Sequence, residues 1–215
     1  MTANRREFVR TCAVVGVGAA PILAGAAAQI YVDHERKIDP AAQLRDRFPA
    51  IVATGGGLVY LDSAATTHRL QAVLDAVADF YVAANANPAR VHAPARRAAE
   101  RLAQARQTIA TFVNAGDPLE IVFTRGTTEA VNLAAASWGS ANLRAGDEVV
   151  LTIAEHNSNL LPWVTAAKRA GATVLVVDVD DEGNLRLDDL KRKLSSRTRL
   201  VAFSHVSNVL GIVNA

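Results

Sequence analysis

After its first thirty residues the chain alternates short β-branched runs with stretches of helical periodicity. Leu58-Val59-Tyr60-Leu61-Asp62 reads as a short strand, followed by the small-residue loop Ser63-Ala64-Ala65-Thr66-Thr67. From Leu70 to Ala84, Val73, Val77 and Phe80 recur four and three apart, which marks one face of a helix. A polar break at Asn85–His92 precedes a second helix with Pro94 just inside its start. Leu102, Ala105, Ile109, Phe112 and Val113 are its predicted buried stripe, and Asn114-Ala115-Gly116-Asp117-Pro118 its stop signal. The rhythm then becomes regular. Strand Ile121–Thr124 leads to a helix carrying Val131, Leu133, Ala136 and Trp138, and strand Glu148–Ile153 to a helix running through Trp163 to Ala170. Strand Thr173–Val179, a hairpin-like Asp180–Asn184, a helix Leu187–Leu194 and a strand Leu200–Ser204 complete the series. Strand and helix alternating at this pitch predict an α/β fold, a mostly parallel sheet with helices on both faces.

The first thirty residues depart from this pattern. Asn4-Arg5-Arg6-Glu7-Phe8-Val9-Arg10 runs into a Gly/Ala-rich apolar stretch from Cys12 to Ala28. A basic start, a moderately apolar middle and a small-residue end are the parts of an export signal, and the paired arginines resemble a twin-arginine one. An uncleaved anchor or a packed N-terminal helix is the alternative. The division read from the sequence is a signal at 1–30, a linker and N-terminal segment at 31–57, and the α/β part at 58–215. It predicts a periplasmic or exported protein that meets the membrane only through its signal. If the signal is unused, the protein is cytoplasmic.

Charge and cysteine content remove whole classes of function. A net charge of +2 with scattered arginines gives no basic stripe for nucleic acid. Cys12 is the single cysteine, so neither an internal disulfide nor a zinc-finger pattern is available, and no metal site is predicted.

Candidate chemistry gathers at the C-terminal ends of predicted strands, where parallel sheets bind ligands. Gly126-Thr127-Thr128 lies between a strand and a helix. There, unpaired N–H groups and the helix dipole favour an anion, and two hydroxyls add donors. Simple helix capping explains that turn equally well on its own. Glu155-His156-Asn157-Ser158-Asn159 follows the second strand, and His205-Val206-Ser207-Asn208-Val209-Leu210-Gly211 the last one. Taken singly, His156 is a surface histidine, and Asn159 and Asn208 are turn residues. Three such loops on one edge can surround a single ligand.

Four segments, in order, resemble the aminotransferase class V family of pyridoxal-phosphate enzymes, most closely its cysteine desulfurases. They are Tyr60–Thr66, Arg125–Glu129, Glu155–Asn159 with Pro162-Trp163, and His205–Gly211. The resemblance covers about Leu44 to Ala215. It implies the major domain of the fold type I pyridoxal-phosphate transferases, with pyridoxal 5'-phosphate as cofactor, a small amino acid as substrate, and a homodimer when full length. It implies that Gly126, Thr127 and Thr128 hold the cofactor phosphate. His156 would stack on the pyridine ring and pass protons, and Asn208 would bind the phenolic oxygen and orient the substrate carboxylate. Ala64 and Ala65 would line the substrate side, with Arg90 and His92 as weaker contacts. Conversion of L-cysteine to L-alanine with enzyme-bound sulfur is the implied reaction. An exported class V transaminase, epimerase or lyase would carry the same motifs.

The family's Schiff-base Lys and its Asp partner lie past the Asn-Val-Leu-Gly segment. None of Lys37, Lys168, Lys191 and Lys193 stands in such a context. The sequence therefore predicts a fragment, the N-terminal part of the domain, inactive by itself. A non-catalytic remnant is the alternative outside enzymes.

Overall fold

The structure, a computed structural model, describes residues 44–55 and 57–214. The predicted signal at 1–30 lies outside the described residues. The described chain forms two units, 44–121 and 122–214.

In the first unit a single helical turn, Pro49–Val52, precedes α1 (Gln71–Ala83) and α2 (Ala93–Val113), and Pro118–Glu120 adds a 3₁₀ turn. Both long helices fall where the periodicity puts them. Asn114 ends α2 in the left-handed conformation, with φ 57°. The predicted burial is different. Val73 and Val77 on α1, and Leu102, Ala105, Ile109, Phe112 and Val113 on α2, are all exposed. The buried positions of α2 are Ala95, Ala98 and Ala110. Periodicity reports which residues share a face, but burial needs a partner surface. Nothing among the described residues covers these faces. The two helices are joined by polar contacts: Arg101 pairs with Asp79 at 2.6 Å, and Arg97 Nε donates to the Ala83 carbonyl at 2.7 Å. Leu58–Asp62, predicted as a strand, carries no sheet ladder.

The second unit contains the sheet. Helix α3 (Thr127–Ala134) continues through a π-helical turn, Ala135–Gly139, and a last turn, Ser140–Asn142. Then come β1 (Glu148–Thr152), α4 (Asn157–Ala170), β2 (Thr173–Val177), α5 (Leu187–Lys193) and β3 (Thr198–Val201). The strands are ordered β2-β1-β3 and both pairings are parallel. Every residue of the central β1 is buried, as an apolar run between two neighbours requires. Ile121–Thr124 is not a ladder strand. Val122 and Phe123 are exposed, and the run finds no pairing partner among the described residues. β3 also lies two residues earlier than predicted, which leaves Ala202 to Ser204 as the approach to the following loop.

One face of the sheet carries the core. Val149 and Leu151 of β1, with Leu200 and Ala202, pack against Val131 and Ala135 from the α3 segment and Trp163 and Ala167 of α4. Trp138 and Trp163 meet edge to face, with centroids 6.3 Å apart and planes at 80°. At the start of the sheet, Glu148 accepts from Ser195 Oγ (2.6 Å) and pairs with Arg197 (2.6 Å). Those hydrogen bonds, the Ser195 one foremost, hold its carboxyl below the usual carboxylate range. Asp147 pairs with Arg199 at 3.0 Å. Adjacent carboxylates of one segment thus grip two arginines of the neighbouring segment. The β1–β3 register shifts at this point, between Glu148 and Val149.

Helix α5 is fastened to β2 through Asp189. Its carboxylate pairs with Lys193 (2.6 Å) and Arg192 (3.1 Å) and accepts the Asp178 backbone N–H (3.1 Å). The Lys193 hydrogen bond is the largest cause lowering its pKa from 3.8 to about 2. A carboxyl lowered on folding stabilises the folded state above its unfolded pKa and loses that contribution as pH falls through its folded one. Asp189→Asn should therefore be less stable than the parent at neutral pH. The gap should close between pH 3.8 and about 2. Paired thermal melts across that range measure it, and a gap independent of pH would contradict the assignment.

Candidate active site

Three groups of candidate residues lie in the second unit, and local chemistry fixes each. Gly126 precedes α3 in an almost fully extended conformation, φ 159° and ψ −177°. It supplies no capping side chain. Glu129, in the first turn, reaches back to accept the Arg125 N–H at 2.6 Å, a variant of the reciprocal capping arrangement. No acceptor among the described residues takes the N–H groups of Gly126, Thr127 or Thr128. The Thr127 and Thr128 hydroxyls donate to no described residue either. An exposed helix N-terminus with three unclaimed amides and two unclaimed hydroxyls matches the requirements of a phosphate.

His156 is the N-cap of α4. Its Nδ1 accepts the Ser158 backbone N–H at 3.2 Å and lies 2.8 Å from Ser158 Oγ. An Nδ1 engaged as acceptor leaves the proton of the neutral ring on Nε2. The imidazole is exposed while Ser158 beneath it is buried, so the ring is anchored at one nitrogen and presented at the other. Thr128 and His156 line the same groove, about 670 Å³, between the α3 segment and α4. Asn132, Asn157 and Arg169 add polar groups to its walls.

Asn208 lies outside that lining, on an exposed turn beyond β3. Ser207 organises the turn. Its N–H donates to the Ile212 carbonyl (2.9 Å), its Oγ accepts from Leu210 N–H (3.1 Å), and Val206 bridges Val213. Gly211 takes the left-handed φ of 70° that the reversal needs. Against this turn lies the Asp180–Asn184 hairpin. Gly183 takes a left-handed φ of 87° that strains any other residue, and a Cβ there would press on the Cδ1 ends of Ile212 (2.8 Å) and Leu210 (2.9 Å). The Asn208 turn is thus braced from outside. Asp180, which accepts from Asn184 and so has a lowered pKa, closes that hairpin.

The remaining predicted positions belong to the first unit. Ala64 and Ala65 form an exposed turn closed by Asp62, whose carbonyl accepts from Ala65 (3.1 Å) and Thr66 (3.0 Å). Tyr60 Oη holds the same turn through the Thr66 carbonyl at 2.6 Å. Arg90 is exposed. His92 has a structural role, because its Nδ1 caps α2 by accepting from Ala95 N–H at 3.3 Å. Among the described residues no group of His, Cys, Asp or Glu is placed to hold a metal. No described helix is long and apolar enough to cross a membrane.

The aminotransferase class-V family profile matches residues 59–215. The chain belongs to the aminotransferase class V family. Its class V relatives include the "Probable cysteine desulfurase" of Halalkalibacterium halodurans, 44% identical over 177 residues, which span 81% of this chain and 44% of that protein. That of Mycolicibacterium paratuberculosis is 43% identical over 182 residues, 83% of this chain and 27% of the relative. Among solved structures, the cysteine desulfurase CsdA of Escherichia coli superposes with a TM-score of 0.70 at 36% identity, covering 83% of this chain and 44% of that one. The apo cysteine desulfurase of Thermococcus onnurineus gives 0.73 at 32% identity, with 83% and 43% coverage. This class V chain therefore spans less than half the length of the relatives it matches. The mostly parallel sheet with helices agrees with their fold.

Sequence reasoning placed Glu155 only within a motif and gave it no role. In the structure its carboxylate is the most heavily used acceptor of the region, taking hydrogen bonds from Thr152, Asn159 and Ser204. Its partners come from β1, α4 and the segment after β3, a long-range pattern that local sequence cannot display.

Proposed function

We propose that this chain carries the phosphate- and ring-binding part of a pyridoxal-phosphate enzyme of the cysteine desulfurase type, acting on L-cysteine to give L-alanine and enzyme-bound sulfur. One observation carries the reading. A helix start whose N–H groups and two threonine hydroxyls are unclaimed among the described residues contributes Thr128 to the groove that an anchored, exposed imidazole also lines. The relatives named above are cysteine desulfurases, and a further structural neighbour at 26% identity, with a TM-score of 0.62, is a C-DES variant with glycine covalently linked to its PLP cofactor.

The residues fit that cofactor. Gly126, Thr127 and Thr128 would hold the phosphate dianion. The only carboxylate in that turn, Glu129, is turned back onto Arg125 N–H. Bound there, the cofactor supplies an electron sink for the bonds around the substrate's α-carbon. His156 would cover the ring and move a proton at Nε2, the nitrogen its cap leaves exposed. Asn208 would orient the substrate carboxylate from the braced turn. None of Lys168, Lys191 and Lys193 lines the groove, and Lys193 is engaged by Asp189. Binding by the described residues is accordingly non-covalent. The homodimer and export through residues 1–30 belong to the same proposal.

The test is an absorbance titration of the purified protein with pyridoxal phosphate and, in parallel, pyridoxal. Saturable binding of the phosphorylated compound alone is expected, with no pyridoxyl group fixed on these lysines by borohydride. Equal affinity for both would remove the phosphate site and with it this reading.

A further inference from the structure

The two loops that bring His156 and Asn208 to the sheet edge are joined by one carboxylate, and its bonding is unusual. Glu155 Oε1 accepts from Thr152 Oγ1 (2.7 Å) and from the Ser204 backbone N–H (2.9 Å). Oε2 accepts from Asn159 Nδ2 (2.8 Å) and Ser204 Oγ (2.7 Å). No Lys or Arg among the described residues forms an ion pair with it. Four neutral donors, two on each oxygen, replace the usual counter-charge.

We propose that Glu155 is a positioning residue that locks the His156 loop to the Asn208-bearing segment and so sets the spacing of the two cofactor-contacting groups. This rests on the cofactor reading given above. From Ser204 the linkage continues outward: its carbonyl accepts from Asn214 Nδ2 (2.8 Å), and Asn214 N–H donates to the His205 carbonyl (2.8 Å). Those bonds close the base of the turn that carries Asn208. On the other side, Glu155 immediately precedes His156 and holds Asn159 in the first turn of α4. It thus fixes the entry and the first turn of the helix that His156 caps.

The carboxylate is needed as such. Glutamine has the same shape but only one acceptor oxygen. The Ser204 N–H belongs to the backbone and cannot turn away, so the glutamine oxygen must face it. The amide NH₂ then faces Asn159 Nδ2, donor against donor. Asn159 cannot flip to relieve this, because its Oδ1 accepts from the buried indole N–H of Trp163 at 3.2 Å. The conservative substitution therefore breaks the lock while leaving volume and core packing nearly unchanged.

Glu155→Gln and Ser204→Ala test the proposal in the purified protein, with hydrogen exchange of the 153–158 and 202–206 backbone and pyridoxal-phosphate titration as readouts. Both variants should keep the parent's far-UV circular dichroism. Exchange in the two loops should accelerate roughly tenfold or more in Glu155→Gln, and cofactor affinity should fall by about tenfold, the scale of a lost charge-assisted hydrogen bond. Ser204→Ala, which removes a single hydroxyl donor, should shift both in the same direction by less. Faster exchange with unchanged affinity would make Glu155 a loop clasp only and overturn the positioning role. Unchanged exchange would overturn the lock itself. If the parent binds no pyridoxal phosphate, the cofactor reading fails separately, and exchange still decides whether the lock exists. Should Glu155→Gln not fold, Ser204→Ala carries the same comparison.

Discussion

Trp163→Ala is expected to cost about 3–5 kcal/mol of folding stability, the range for removing a fully buried tryptophan. Trp163 is 0% exposed and is the largest fully buried side chain described. It occupies the middle of the layer between the sheet and the α3–α4 pair, against Trp138 and within the cluster containing Val149, Leu151 and Leu200. Truncation opens a cavity that the strands, fixed by parallel ladders on both sides of β1, cannot collapse to fill. It also strips Asn159 Oδ1 of its indole donor, and so loosens the amide that binds Glu155. Trp163→Phe keeps most of the volume and loses that hydrogen bond, so it should cost less than half as much. Urea denaturation of the two variants against the parent measures both. A loss below about 1 kcal/mol for alanine, the ordinary scale of a non-core substitution, would show that the layer is not packed around this residue.

Trp163 also illustrates how much of the fold is legible in local sequence. The β/α alternation from β1 onward, the helix through Trp163 and the loops that follow β1 and β3 can be read because each is written in local periodicity. Most helix ends and the β1 and β2 starts fall within a residue or two of where patterning puts them. Pairing and burial are less legible, because both depend on residues far away in sequence. Ile121–Thr124 and Leu58–Asp62 have strand composition but no ladder neighbour among the described residues. The apolar residues named above on α1 and α2 have helical spacing but no covering surface among the described residues. At the candidate site, the shared groove of Thr128 and His156 is foreseeable from motif order, whereas Asn208, expected around the same ligand, lies outside its lining. The role of Glu155 is not foreseeable, since it lies in bonds to Ser204, 49 residues away. His92 shows a local role that its sequence context does not announce, the capping of α2 through Nδ1.

The double variant Thr127→Ala/Thr128→Ala should weaken pyridoxal-phosphate binding by two to four orders of magnitude. A hydrogen bond to a charged group contributes about 1.5–3 kcal/mol, and each 1.4 kcal/mol is a factor of about ten in affinity. Each single variant should lose roughly ten- to a hundred-fold on the same scale. Binding is reduced rather than abolished, because the backbone N–H groups of Gly126, Thr127 and Thr128 remain at the helix start whatever the side chains are. Stability should barely move: both residues are exposed, neither is the N-cap, and neither hydroxyl supports a described partner. That contrast separates the phosphate role from the capping role that the motif alone allowed. A capping threonine lost to alanine costs about 1 kcal/mol of stability and leaves affinity for a distant group unchanged. Pyridoxal supplies the internal control, since its binding cannot depend on phosphate donors. The Thr128→Ser variant keeps the hydroxyl and should restore affinity. Melting temperature falling while pyridoxal-phosphate affinity holds would return this turn to an ordinary helix cap.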